Sequence, residues 1–222
     1  MAKGRKGRKS WVSVLLIIVA VVVWLLDDRK PGTAETAGDE AVSGRTITGD
    51  YEVFRDCRLE EARGNDGDSF LVRLPDGRKA LFRLYFVDTP ESAFKRYSSG
   101  ETNYRRISDQ ARQMGGITPE QAVEVGQQAK KFTLGLLGRA PFVVHTRWDS
   151  PFNDDRYHAF VEVAKDGGSV WLHELLIENG LARIKTKPAE LPDGTPAARQ
   201  KERLAELQRD AKDARQGAWG MK

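Results

Sequence analysis

Gly64-Asn-Asp-Gly-Asp-Ser-Phe-Leu-Val-Arg-Leu-Pro-Asp-Gly-Arg-Lys-Ala-Leu-Phe-Arg-Leu-Tyr-Phe-Val-Asp-Thr-Pro-Glu91 is the stretch on which the fold turns. Gly64 to Gly67 carries the Gly, Asn and Asp residues that a tight turn requires. Phe70, Val72 and Leu74 then alternate with Leu71 and Arg73, the period of a half-buried strand. Pro75-Asp-Gly77 is a hairpin turn, and Lys79 to Val87 is a strongly apolar run that reads as the next strand. With the β-like pattern that starts near Thr46, the chain opens on a meander of three strands.

Outward from that meander the signals mix. Glu91 to Ile117 is polar and aromatic and reads as a long loop holding at most a short helix. Thr118-Pro-Glu-Gln121 places an N-cap, a first-turn proline and a capping-box glutamine at a helix start. That helix runs to about Leu137 and stops at Gly138. Phe142 to Trp148 and Tyr157 to Ala164 are two further strands, Val170 to Glu178 reads as a short helix, and Pro188 to Pro196 as a loop. Ala197 to Arg215 is an amphipathic helix with Leu204, Leu207 and Ala211 on one face. Five strands with about three helices predict an α+β domain built on a small barrel of the OB type, a shape that commonly binds oligonucleotides.

Charge divides the chain. Of 36 Lys and Arg residues, Lys3, Arg5, Lys6, Arg8 and Lys9 lie in the first ten positions, which hold no acid; the remaining 31 face 32 Asp and Glu. The net charge of +4 therefore belongs to the tail, and affinity for a polyanion must come from local placement of charge. Trp11 to Leu26 is unbroken by any polar residue except Ser13. At about 1.5 Å per residue it spans close to a hydrocarbon layer, with tryptophans near both ends. Two readings compete, a cleaved signal peptide and an uncleaved anchor. Asp27-Asp-Arg-Lys-Pro31 is a poor cleavage site, which favours the anchor, and the basic tail orients the N-terminus toward the cytoplasm. The expected plan is a cytoplasmic tail (1–10), a single transmembrane helix (11–26), a linker (27–45) and a folded domain (46–222) outside the cytoplasm. The single cysteine, Cys57, leaves no internal disulfide and reads as a small buried hydrophobe, so no disulfide-linked partner is expected.

Asp68, Arg83, Asp88, Glu91 and Arg156 sit at strand ends. Three carboxylates and two guanidiniums suit metal-assisted attack on a phosphodiester: carboxylates hold a hard cation and a water, and arginines neutralise charge on phosphate oxygens. Singly, each has a bland reading. Asp68 fits a turn cap, Arg83 a solvated strand position, Asp88-Thr-Pro90 a strand exit, and Arg156 a surface ion pair with its acidic neighbours.

Taken in order, Asp66-Gly-Asp-Ser69, Phe82-Arg-Leu-Tyr-Phe-Val-Asp-Thr-Pro-Glu91, Arg156-Tyr-His-Ala-Phe-Val161, Asn179-Gly-Leu-Ala182 and Gly217-Ala-Trp219 resemble the thermonuclease, or staphylococcal nuclease-like, family over about residues 55–220. The resemblance implies an OB-fold barrel with helices that cleaves DNA and RNA using calcium and leaves a 3′-phosphate. It implies Asp68, Asp88 and the Thr89 carbonyl as calcium ligands, with Asp66 supporting them. Glu91 would orient or deprotonate the attacking water, and Arg83 and Arg156 would grip the phosphate. The sequence departs from the family pattern in two places. Asn153-Asp154-Asp155 stands where a lysine and an aromatic are usual. Arg183-Ile-Lys185-Thr-Lys187 replaces the tyrosines that flank the nucleotide, so substrate contacts would fall to Arg183, Lys185 and Lys187 as charges. The long 92–117 segment carries Lys95, Arg96, Tyr97, Tyr104, Arg105 and Arg106, which reads by default as a solvated polar loop and alternatively as a replacement nucleic-acid clamp. A catalytically weak module binding single-stranded nucleic acid or a protein partner at the membrane is the competing reading.

Overall fold

The computed structural model describes residues 44–150 and 155–221. The expected tail, anchor and most of the linker lie outside the described residues, as do Asn153 and Asp154. No helix among the described residues is long and apolar enough to cross a membrane.

Nine strands are assigned among the described residues: β1 (Arg45–Thr48), β2 (Tyr51–Leu59), β3 (Ser69–Arg73), β4 (Lys79–Leu84), β5 (Val87–Asp88), β6 (Phe142–Thr146), β7 (Arg156–Lys165), β8 (Gly168–Trp171) and β9 (Arg183–Ile184). The α-helices are α1 (Tyr104–Gln113), α2 (Pro119–Leu137), α3 (Leu172–Glu178) and α4 (Ala197–Asp213). Strands β2, β3, β4, β7 and β6 pair in that order, and β6 returns to β2, so five strands close into a barrel. All of these pairings are antiparallel except β4 with β7. The fold is α+β, as expected, with four helices rather than about three. The additional helix is α1, ten residues inside the segment read as a long loop holding at most a short helix; its exposed Tyr-Arg-Arg start masks the buried stripe of Ile107, Gln110 and Ala111.

Closure needs β2 to bend around two neighbours. Between Phe54 and Cys57 the register shifts by a bulge, and Asp56 adopts a left-handed backbone (φ 62°) there. Inside the barrel Phe54, Phe70, Val72, Phe82, Val144 and Val161 are fully buried. The Trp148 ring closes the cluster edge-on to Phe54, with centroids 5.8 Å apart. Phe160, on the opposite face of β7, packs against Tyr51, Tyr85, Phe86 and Trp171 under α3.

The run expected as one strand from Lys79 to Val87 is broken. Phe86 takes φ 67°, and its N–H and carbonyl bond to Lys187 (3.0 Å) and Lys185 (2.7 Å) instead of continuing the barrel ladder. The chain therefore leaves the barrel at Tyr85, and β5 pairs with β9, setting Asp88 opposite Arg183. Val170 and Trp171, expected in a helix, extend the β8 pairing with β7, and α3 begins at Leu172.

Helix α2 begins as expected, with Thr118 and Gln121 forming a reciprocal capping box. It lies directly against both acidic turns. Thr133 Oγ1 donates to the Gly67 carbonyl (2.8 Å), and a Cβ on Gly67 would fall 2.9 Å from Ala129 and Thr89. A Cβ on Gly126 would fall 2.4 Å from the Glu91 carbonyl oxygen and 2.6 Å from that of Pro90. In a free helix Gly→Ala gains about 1 kcal/mol; here the backbone in the way reverses the sign. Gly126→Ala should lose about 1–3 kcal/mol through overpacking, read as a lower midpoint in urea unfolding. A midpoint at or above wild type would show that α2 does not press on the 90–91 turn.

Candidate active site

The kink at Phe86 and the hairpin turn before β3 bring two buried aspartates to one place. Asp68 precedes β3, and its carbonyl accepts the Leu84 N–H (2.9 Å), tying its turn to the end of β4. Its Oδ2 accepts the Thr89 N–H at 3.1 Å and its Oδ1 accepts the Ser69 hydroxyl at 3.0 Å. Asp88 ends β5 with its side chain 4% exposed. One nitrogen of Arg83 stands between them, 2.8 Å from Asp88 Oδ1 and 3.4 Å from Asp68 Oδ2.

Asp88 is more heavily satisfied than the sequence foretold. Arg183 donates to its Oδ2 through Nε (2.8 Å) and Nη2 (2.7 Å), Gln110 Nε2 reaches the same oxygen at 3.2 Å, and Arg106 Nη2 lies 3.3 Å from Oδ1. Arg183 is a buried residue whose Nη1 donates to Gln113 Oε1 (2.8 Å). Three guanidiniums and an amide thus converge on one carboxylate, each as a charge-assisted or neutral hydrogen bond in a water-poor setting.

Glu91 does not join that pair. Its Oε1 meets Arg106 Nε at 3.1 Å and its Oε2 meets Lys95 Nζ at 3.3 Å, so Arg106 links it to Asp88. The Glu91 N–H donates to Gln110 Oε1 (3.1 Å), while Gln110 Nε2 donates to the Thr89 carbonyl (3.1 Å). Gln110 therefore holds the backbone of the whole 88–91 turn from α1. Asp66 accepts the Gly67 N–H (3.0 Å); burial first, and then the negative charge of Glu91, push its carboxyl upward. No group of three or more His, Cys, Asp or Glu side chains with metal-binding geometry occurs among the described residues.

Arg156 opens β7 in register with Leu81, while His158 is directly across from Arg83. Arg156 and His158 share the outward face of β7, two residues apart. The His158 ring stacks on Tyr85 (5.1 Å), and the His158 backbone N–H donates to the Asp149 carbonyl (3.0 Å). The Asp149 carboxylate also accepts from the Tyr85 hydroxyl and the Lys187 ammonium. Burial holds His158 below the usual histidine range against the opposing pull of Asp149, so its imidazole is neutral at pH 7.

Above these residues lies an open cavity of about 530 Å³ lined by Arg83, Asp88, Arg106, His158, Arg183, Lys185, Thr186 and Lys187. A neighbouring groove of about 620 Å³ shares Arg106, Arg183 and Lys185 with it. A third cavity, about 480 Å³ against α2 and the C-terminal turn, contains none of the candidate residues. The site can receive an anion beside a buried carboxylate pair. Sequence reasoning passed over Gln110, Asp149 and His158; their types carry no signal until α1 and β7 are placed, although Arg106 stood out among the cations of the 92–117 segment.

Burial comes first in lifting the Asp68 carboxyl, to about 6, with Asp88 and Asp66 adding repulsion and Arg83 opposing it. Between about pH 4 and pH 6 the native state therefore keeps a proton that the unfolded chain has released, so stability from this group falls as pH rises through that window. In chelator, Asp68→Asn should be more stable than wild type above pH 6 by on the order of 1–3 kcal/mol, and the gap should close toward pH 4. Paired urea unfolding curves at the two pH values test it; a gap independent of pH would contradict it.

Residues 81–221 match the model of the staphylococcal nuclease homologue family. Arg83, Asp88, Thr89, Glu91, Arg156 and Arg183 fall inside that span, while Asp66 and Asp68 precede it. No curated protein matches the chain. Well over half of the sequence lies within the match, and the chain belongs to the staphylococcal nuclease homologue family.

Proposed function

We propose that this protein is a calcium-dependent nuclease that hydrolyses phosphodiester bonds of DNA and RNA with little sequence preference. Family membership supports nuclease chemistry and nucleic-acid binding. The observation that carries the reading is Arg83: it bridges two buried carboxylates and lines a cavity otherwise rich in cations.

The donor set suits calcium in kind. Asp68 and Asp88 are buried within reach of one guanidinium nitrogen, so their oxygens lie close enough to share a cation. The Thr89 carbonyl keeps a second lone pair beyond its bond to Gln110. These three residues would hold the ion, which when bound polarises phosphate oxygen and a water. Arg83, with Arg156 two residues from His158 on β7, would stabilise the charge that grows on the phosphate. Glu91 would take the proton of the attacking water as its oxygen bonds to phosphorus; the bond to the 5′ oxygen breaks and that oxygen takes a proton from solvent, giving a 3′-phosphate and a 5′-hydroxyl. Arg183, Lys185 and Lys187 would supply charge at the cavity mouth. Residues 11–26 would anchor the domain outside the cytoplasm.

A second reading, a catalytically weak barrel that binds nucleic acid or a protein partner, draws on the saturation of Asp88 by Arg83, Arg106 and Arg183. Cleavage separates the two. The purified chain should degrade DNA and RNA with calcium and stop on chelation. Glu91→Gln and Arg83→Ala should each lower the rate by about a hundred- to ten-thousand-fold. Rates unchanged in both variants would remove these residues from the chemistry, and nucleic acid bound but never cut would establish the second reading. For topology, a C-terminal reporter active only in the cytoplasm would overturn the anchor orientation.

A further inference from the structure

The two cation-lined cavities are not separate features. Arg106, Arg183 and Lys185 belong to both, so the pocket over Arg83 continues into a groove walled on one side by α1 and on the other by β9 and the residues after it. Arg183 is spent on Asp88 and Gln113. Arg105 and Lys185 line the groove, and neither has an acidic partner among the described residues. Glu101 and Asp109 also line it, but Asp109 is paired with Arg112, and the groove keeps an excess of positive charge.

Arg106 stands at the junction. Asp88 already receives the Arg83 and Arg183 guanidiniums, whose side chains are each 11% exposed, at 2.7–2.8 Å. Arg106 is 50% exposed, and its contacts to Asp88 and Glu91 are longer, at 3.3 and 3.1 Å. An exposed guanidinium gives up little when it exchanges one oxyanion for another. It is therefore the cation of the cluster most readily turned toward an arriving phosphate, and that turn would free Glu91 Oε1 while Lys95 stays on Oε2.

We propose that α1 forms a second phosphate subsite: Arg105 and Lys185 hold the phosphodiester that flanks the scissile one, with Arg106 moving from Asp88 and Glu91 onto the strand between them. The proposal rests on the nuclease reading for which phosphate is scissile, while its test reads binding alone. Electrostatic retention of successive phosphates would stand in for the base stacking that aromatic side chains usually provide.

The test uses the full-length chain in mild detergent and cleavage-resistant phosphorothioate oligothymidylates, a dinucleotide and a tetranucleotide, with affinity followed by fluorescence anisotropy across a salt series. Each phosphate contact on a single strand contributes about 0.7 to the slope of log affinity against log salt. Arg105→Ala and Lys185→Ala should each lower the tetranucleotide slope, together by about 0.7 for the one phosphate they hold, and the double variant should weaken that ligand by about tenfold or more near 0.1 M salt. In Arg105→Ala, whose side chain lines the groove and not the Arg83 cavity, dinucleotide affinity should change by less than about twofold. Equal losses for both ligands in Arg105→Ala would assign Arg105 to the scissile phosphate and overturn the second subsite. An unchanged tetranucleotide slope would overturn it as well. Tetranucleotide binding that shows the expected losses in a chain that never cleaves would sustain the subsite while refuting the nuclease reading.

Discussion

A carboxylate whose side chain is 4% exposed is costly to bury without counter-charge, and Asp88, at the end of β5, gathers cations from three parts of the chain. Arg83 arrives from the barrel wall, Arg183 from the strand after α3, and Arg106 from the helix that interrupts the 92–117 segment. Each contact joins elements that otherwise share little. Removing the carboxylate would strand at least two guanidiniums in a nearly dry site, which is commonly worse than never having built the cluster. The same convergence that organises the domain thus creates a place where an anion meets cations beside buried oxygen ligands.

Helix α2 fixes where that place is. It approaches the 64–69 turn and the 88–91 turn so closely that Gly67 and Gly126 have no room for a Cβ, and Thr133 bonds to the first turn directly. Close packing makes the two turns one rigid body with the helix. On the opposite side Gln110 grips the Thr89 carbonyl and the Glu91 N–H, so the acidic turn is held from α1 as well. The turn between Asp88 and Glu91 has almost no local structure of its own; two helices impose its shape.

Much of this is legible in the sequence. The alternation through Phe70, Val72 and Leu74, the Pro75-Asp-Gly77 turn and the Thr118 capping box each encode their element within a few residues, and the structure places those elements where they were read. Local patterns failed where burial comes from distant chain. Tyr85-Phe86-Val87 looks like the continuation of a strand, yet Phe86 turns left-handed because its backbone finds partners at Lys185 and Lys187, about a hundred residues on. Helix α1 was obscured because its buried residues, Ile107, Gln110 and Ala111, include a polar one whose partners are all remote.

By itself, then, the sequence determined the barrel class, the family and the candidate chemical groups, since strand period, turn residues and motif order are short-range properties of the chain. It did not determine the pairing of those groups. That Asp88 faces Arg183 across β5 and β9, that His158 lies beside Arg83, and that Arg106 spans Asp88 and Glu91 are consequences of strand register and helix docking. Such contacts join residues up to 95 positions apart. No local pattern records them, because the free energy that selects them comes from burying charge with its counter-charge once the barrel has closed.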